Sequence, residues 1–415
     1  MNASSALKKK TRMLLAQVLT TLCQRLVHLA SAASSIPSWK MEDAPNRSSM
    51  IPISSSIWST GTPKAAARSH GFLWAQHLAL DSHFALREDD IDLPTLPVFV
   101  LNNLAAGVTS VLPDFDPRRP AQVDPARLVS QMERERVTTT SGSPALYERL
   151  AIWCRDRGRR LPVRALFTGG APVLPPLARL LADTVQGEAH VVYGSTEAEP
   201  IAGIEARRML AAMAEAGEEG VCVGVPVPAI ELKLIRPHDG PVALDGRGWG
   251  AWEVADGEVG EATVRGPHVL GAYLANPDAD RTNKIADGPT LWHRTGDAAR
   301  RDRSGRLWLL GRVSRRIQRA DRTWWGQPAE LRALRVPGVR HAAYFGAPDP
   351  ALGQRAVLCV ECGAESRATA AALRAALAPM PLDEFHVLAI PRDPRHRSKT
   401  DWAALERVLA RRRSA

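Results

Sequence analysis

The chain has 415 residues, of which 45% are hydrophobic and 24% charged, enough for two or three domains around a large core. Its net charge of +10 comes mostly from scattered arginines, with no basic patch interleaved with aromatics, which argues against a nucleic-acid partner. No apolar run approaches the ~18–20 residues that span a bilayer.

Residues 1–53 begin with Lys8, Lys9, Lys10 and Arg12, then an apolar stretch from Met13 to Leu19, and Ala30-Ser31-Ala32 behind it. This imitates a secretory leader. However, Gln24, Arg25 and His28 interrupt it, and Leu15, Leu19, Leu22, Leu26 and Leu29 recur at helical spacing. Leader and amphipathic helix both stand. The Ser- and Pro-rich run from Ser34 to Ser56 reads as loop or disorder. Gly71 to Arg87 reads as a helix, and Leu93 to Leu101 as a core strand after a Pro-rich turn. Helices over Pro125–Glu133 and Pro144–Asp156 flank a β-branched strand, Val137–Thr140. A strand over Leu161–Thr168 ends in Gly169-Gly170-Ala171-Pro172. Strand, Gly turn and helix in repetition argue for an α/β layered fold.

The apolar run Ala189–Val192 reads as a short buried strand that breaks into Tyr193-Gly194-Ser195-Thr196-Glu197. Backbone N–H groups and hydroxyls there can hold phosphate oxygens, Glu197 can hold Mg²⁺ through oxygen, and Tyr193 offers a face for a base. A plain strand-to-loop turn would look the same. Ile230–Ile235 and Glu261–Arg265 alternate as strands in a β-rich part. Five cysteines make no disulfide framework. Cys359 and Cys362 have CxxC spacing, but Ala356–Val360 reads as a buried strand, so core cysteines are the better reading. That usage suits a reducing cytoplasm.

In order, Ser59-Thr60-Gly61-Thr62-Pro63-Lys64, Gly169-Gly170-Ala171-Pro172, Tyr193-Gly194-Ser195-Thr196-Glu197, His293-Arg294-Thr295-Gly296-Asp297, Gly311-Arg312 and Arg395-His396-Arg397-Ser398-Lys399 resemble the core motifs of the adenylate-forming superfamily. That superfamily holds acyl-CoA synthetases, luciferases and peptide-synthetase adenylation domains. Val108 to Pro117, Arg119 to Pro125 and Arg395-His396 resemble its OleC-like branch, the β-lactone synthetases of bacterial long-chain olefin biosynthesis. The resemblance covers about Ser54 to about Leu409, and it implies a second reading of Leu93 to Leu101, as a segment that lines the acyl pocket.

The resemblance implies an αβαβα-layered N-terminal part with a small β-rich subdomain, plus a small α+β C-terminal domain. It divides the chain into an atypical, partly disordered segment 1–53, a truncated large AMP-binding domain 54–311 and a small mobile domain 312–415. The family carries a longer segment ahead of the phosphate loop, and its loss is expected to expose apolar surface. It implies ATP and Mg²⁺ as cofactors. Ser59, Thr60, Gly61 and Lys64 would meet phosphates, as would Thr196. Glu197 would hold Mg²⁺, and Gly170, Ala171, Pro172, Tyr193 and Gly194 would border adenine. Asp297 would bind ribose hydroxyls, Arg312 phosphate or ribose, and Lys399 would swing in over the reacting carboxylate. Thr196, Glu197 and Lys399 form the implied catalytic set. Ser314 stands at the implied pivot.

The activity implied is adenylation of a long-chain β-hydroxy acid with release of pyrophosphate. Closure to a β-lactone or transfer to CoA follows, beside partner enzymes of an olefin-type pathway in the cytoplasm. Trp58 opposes this, because it stands where a phosphate loop uses Gly for close backbone approach. A catalytically impaired relative that binds an acyl group, a nucleotide or a partner is therefore the second reading.

Overall fold

The computed structural model describes residues 50–53, 65–115, 122–217, 220–319, 322–363, 369–393 and 399–414. The phosphate-loop residues Ser59, Thr60, Gly61 and Lys64, with Trp58, lie outside them, as do residues 1–49, Arg395 and His396.

Strand β1 (Met50–Ile53) pairs antiparallel with β2 (Ala66–Ser69), so the loop expected from Ser34 to Ser56 contains a strand. A second sheet of twelve strands dominates the fold. Its parallel part contains β3 (Ile91–Pro94), β4 (Thr109–Ser110), β5 (Thr139–Gly142), β6 (Ala165–Gly169) and β7 (Glu188–Ser195), in the order β4-β3-β5-β6-β7. The sheet continues antiparallel through β8 (Ala198–Glu205), β9 (Val221–Pro226), β10 (Glu231–Ile235), β11 (Gly260–Arg265), β12 (Lys284–Asp287), β13 (Thr290–Arg301) and β14 (Leu307–Arg312). This is the expected β-rich part.

Neighbouring residues of β6 serve opposite faces, as the pleat requires. Leu166 joins the core made with helices Pro125–Arg134, Pro144–Arg155, Pro175–Thr184 and Ala206–Ala216. Phe167 joins the opposite core with Leu80, Phe84 and Phe99, from helices His70–Phe84 and Pro97–Ala106. Phe84 stacks on Phe167 with ring centroids 4.1 Å apart. Sequence sets these helix starts. Ser69 Oγ accepts from Phe72 N, and prolines open the first turns at 97, 125, 144 and 175. Pro97 also overturns the strand expected to reach Leu101. The strand stops at Pro94, and Val98 to Leu101 are helical.

Beyond β14 lie a hairpin, β15 (Ile317–Arg319) and β16 (Arg322–Trp324), and a sheet of β17 (Val339–Asp349), β18 (Gly353–Cys362) and β19 (Glu384–Val387). Ala356, Leu358 and Val360 face a core shared with helices Gly326–Ala333 and Ala370–Leu377. Val357 and Cys359 face the core under helix Trp402–Ser414. The α+β character expected here is what the chain adopts. Cys154, Cys222 and Cys359 are buried, as core cysteines should be, and Cys362 is half-buried. Among the described residues no helix is long and apolar enough to cross a membrane.

Candidate functional site

The parallel strands β6 and β7 end side by side, with Gly169 opposite Val192. In open α/β sheets such strand ends border the ligand crevice. A side chain on Gly169 would put its Cβ 2.4 Å from the Val192 carbonyl oxygen, so only Gly lets the strands approach. Gly170 turns the chain away at φ +80°, with Ala171 half-buried and Pro172 exposed beside it.

Strand β7 runs further than its apolar core. It continues to Ser195 and returns as β8 through the two-residue turn Thr196-Glu197. The expected open loop is thus a hairpin tip. Ser195 Oγ accepts from Glu197 N at 3.2 Å. Glu197 is buried, and the Tyr273 hydroxyl donates to its Oε1 at 2.5 Å. His293, that hydrogen bond and the Ser195 contact outweigh burial, so the carboxyl titrates below its ordinary range and stays ionised.

Tyr193 crosses 104 residues of sequence to reach Asp297, its hydroxyl donating to Oδ2 at 2.8 Å. Burial first, and the Asp297 charge second, push the phenol well above its usual pKa, so it stays a donor. Asp297 lies opposite Arg312 across β13 and β14, and Arg312 Nε sits 3.3 Å from Asp297 Oδ1. Arg312 also donates to the Thr295 carbonyl at 3.0 Å. Tyr193 therefore has a second role that sequence did not suggest, as an anchor for Asp297.

Lys399 comes to this recess from the far end of the chain. It closes its own loop: Lys399 N donates to Asp393 Oδ1 and Asp393 N to the Lys399 carbonyl, both at 2.9 Å. The side chain keeps contact with solvent. Protein around its ammonium lowers the pKa, and the Arg312 charge adds to that, against Asp297, Asp393 and Glu197. These partners place the ammonium within electrostatic reach of Arg312, Asp297 and Glu197. The structure thus gathers Tyr193, Gly194, Thr196, Glu197, Asp297, Arg312 and Lys399, with the Gly170 turn at the adjoining strand end.

Other residues of the site went unassigned in the sequence. Arg68, on β2, is 4% exposed and donates to the Thr196 carbonyl at 2.7 Å. Its Nε has no hydrogen-bond partner among the described residues. Glu199 lies between Arg68 and Lys399 electrostatically, and burial raises its pKa. The Glu197–Tyr273 bond spans 76 residues, beyond any local pattern. Arg68 carried one signal, an arginine in a run of small residues just after the phosphate-loop motif.

Strand ends lined with carboxylates, cations and a tyrosine, on a mixed sheet between helix layers, define an α/β protein with a charged site at the ends of its parallel strands. The chain belongs to the AMP-binding enzyme family, whose model matches residues 18–274, within the adenylate-forming enzymes. It is 39% identical over 373 residues to an olefin β-lactone synthetase of Stenotrophomonas maltophilia (strain K279a), an alignment covering 84% of this chain and 66% of that protein. The chain thus spans just under two thirds of that relative's length. An amide bond synthetase from Marinactinospora thermotolerans superposes with TM-score 0.69 at 25% identity, over 84% of this chain and 68% of that one. O-succinylbenzoate coenzyme A synthetase from Bacillus subtilis, in complex with ATP and magnesium ion, shares the fold with TM-score 0.64 at 22% identity, over 84% and 67%.

Proposed function

We propose that this chain activates a carboxylic acid by adenylation, forming acyl-AMP from ATP and releasing pyrophosphate. A long-chain β-hydroxy acid, whose own hydroxyl then closes a β-lactone, is the substrate class favoured by the 39% identity to an olefin β-lactone synthetase. The observation that carries the reading is the Tyr193–Asp297–Arg312 cluster, built from three separate motifs, with the Lys399 ammonium within electrostatic reach of it and of Glu197.

Each residue has a task in this reading. Asp297, fixed by Tyr193 and Arg312, accepts hydrogen bonds from the two ribose hydroxyls. The Tyr193 ring borders adenine with Gly170, Ala171, Pro172 and Gly194. Arg312 meets ribose or phosphate. Lys64, Ser59, Thr60 and Gly61, with Thr196, take the phosphate oxygens. Lys399 lies over the α-phosphate and the acid, where negative charge builds as carboxylate oxygen attacks phosphorus and pyrophosphate leaves. Glu197 is an ionised oxygen ligand with one oxygen, Oε1, held by Tyr273. No cluster of three or more His, Cys, Asp or Glu accompanies it among the described residues. One carboxylate plus phosphate oxygens is how Mg²⁺ is commonly held. Bound there, the ion would neutralise phosphate charge. In this reading the small mobile domain, 312–415, turns at the implied pivot Ser314 to bring Lys399 in or out, while Arg312 stays at the end of strand β14.

Calorimetry with ATP and Mg²⁺ tests the reading. The wild-type chain should bind. Asp297→Ala should lose about 1.5–3 kcal/mol, the usual worth of hydrogen bonds to a charged group. Pyrophosphate release that depends on a β-hydroxy acid is the second measurement. Absence of binding by the folded wild-type chain would refute adenylation and leave the reading of an inactive, partner- or acyl-binding relative.

A further inference from the structure

Three arginines within five residues face three different ways. Arg312 points to Asp297 in the crevice. Arg315 pairs with Glu406 at 2.5 Å and lies over the Trp402 ring at 4.8 Å, both on helix Trp402–Ser414. Arg316 turns back to the loop after β10 and grips Asp239 with both arms, Nη1 to Oδ1 at 3.0 Å and Nη2 to Oδ2 at 2.5 Å. Arg315 thus ties this turn to the C-terminal helix, whereas Arg316 ties it to the large sheet. Gly311, just before, has φ +117°, a conformation that eases a change of direction.

The Asp239 loop is itself held rigidly. Arg294 donates to the carbonyls on either side of Asp239, His238 O at 2.7 Å and Gly240 O at 2.5 Å. The same guanidinium pairs with buried Glu261 at 2.6 Å. The other oxygen of Glu261 accepts from Gly296 N at 3.2 Å, one residue from Asp297. One buried ion pair therefore fixes both the acceptor of the Arg316 grip and the backbone beside Asp297.

The geometry points to the Arg316–Asp239 pair as a latch across the hinge that positions Lys399 in the crevice, with Arg294 and Glu261 as its fixed mount. Arg316 and Asp239 are positioning residues and touch no reacting atom. Breaking the pair lets the segment after Ser314 swing with Arg315, Glu406 and Trp402 as one body, and withdraws Lys399. Asp239 is 76% exposed at its side chain, so its removal leaves the large sheet intact. The inference rests on the adenylation reading for Lys399's task, but not for the latch itself.

Hydrogen exchange on the full-length chain, without nucleotide, tests the latch directly. Asp239→Ala should speed exchange at 313–319 and 399–405 by about 1.4- to 5-fold, the range for an exposed ion pair. Exchange in β6 and β7 should stay unchanged. The charge-swapped double variant, Asp239→Arg with Arg316→Asp, should restore wild-type exchange. The adenylation half-reaction should slow by the same factor in Asp239→Ala at unchanged KM for ATP, and Asp239→Ala should have no further effect once Lys399→Ala is present. Unchanged exchange in Asp239→Ala, or a swap that fails to restore it, would overturn the latch. If the wild-type chain releases no pyrophosphate, the exchange result still decides the latch, and only the adenylation reading falls.

Discussion

Replacing Arg294 by Met tests how far the crevice depends on one buried charge. Arg294 is 5% exposed and Glu261 3% at their side chains. The guanidinium makes five hydrogen bonds: two to Glu261 Oε2, and one each to His238 O, Gly240 O and Thr282 O. Met keeps much of the volume and none of the donors. Glu261 is then a stranded carboxylate in the core, and breaking a buried pair from one side costs about 3–5 kcal/mol. Adding Glu261→Leu removes the stranded charge. The double variant should recover most of the loss and retain about 1–3 kcal/mol, for Gly296 N and the carbonyls left without partners. Urea unfolding followed by tryptophan fluorescence reads this, since Trp292 and Trp308 are buried in the same sheet. A single variant within about 1 kcal/mol of wild type, or a double variant worse than the single, would refute the account.

Gly169→Ala should destabilise by about 1–3 kcal/mol in the same unfolding assay, because its Cβ would meet the Val192 carbonyl. Gly170→Ala should cost only about 1 kcal/mol, since it meets open space and suffers only its positive φ. Tyr273→Phe should weaken Mg-ATP binding by about 1.5–3 kcal/mol in calorimetry, through loss of the bond that holds Glu197. Burial pushes Glu330 up to about 7 from an ordinary 4.5, with only the Tyr344 N–H to stabilise its charge. A raised carboxyl favours the folded state when protonated. Its contribution is therefore complete below about pH 4.5, is lost as pH rises toward about 7, and stays lost above that. Glu330→Gln should flatten stability against pH over that window.

The helices expected over Pro125–Glu133 and Pro144–Asp156 were legible because a proline writes their first turns locally. Pro97 marks a first turn as plainly, yet the apolar run it opens read as a strand. Strand bounds were less legible. Val137 looked like the start of a strand, but its N–H closes the preceding helix on the Met132 carbonyl at 2.8 Å, and β5 begins at Thr139. Leu161 and Val163 are buried as a strand would have them, yet β6 begins only at Ala165. Burial alone does not tell a strand from a packed turn. In the crevice, Glu197, Asp297 and Arg312 were legible from their motifs. Tyr273 and Arg68 were not, because what gives each its task is a contact with residues 76 and 128 positions away.

The charges of the site explain why it can stay assembled without a ligand. Arg68, Arg312 and Lys399 supply three positive charges, and Glu197, Glu199 and Asp297 can supply three negative ones. Each cation senses at least one of these carboxylates, so none is buried alone, which would be costly. The polyphosphate of the proposed nucleotide would bring more negative charge than the site can balance while its cations serve the carboxylates. Two adjustments answer this without rebuilding the fold. On the adenylation reading, a divalent cation on Glu197 would offset part of the added charge, and Arg312 would shift from Asp297 toward phosphate, leaving Asp297 to the ribose hydroxyls. Burial raises the pKa of Glu199, so proton uptake there is a third adjustment. Because Tyr193 stays a donor, it would keep Asp297 in place if Arg312 changed partner. The tyrosine hydroxyl is then what separates a crevice that exchanges partners from one that collapses onto its own ion pair.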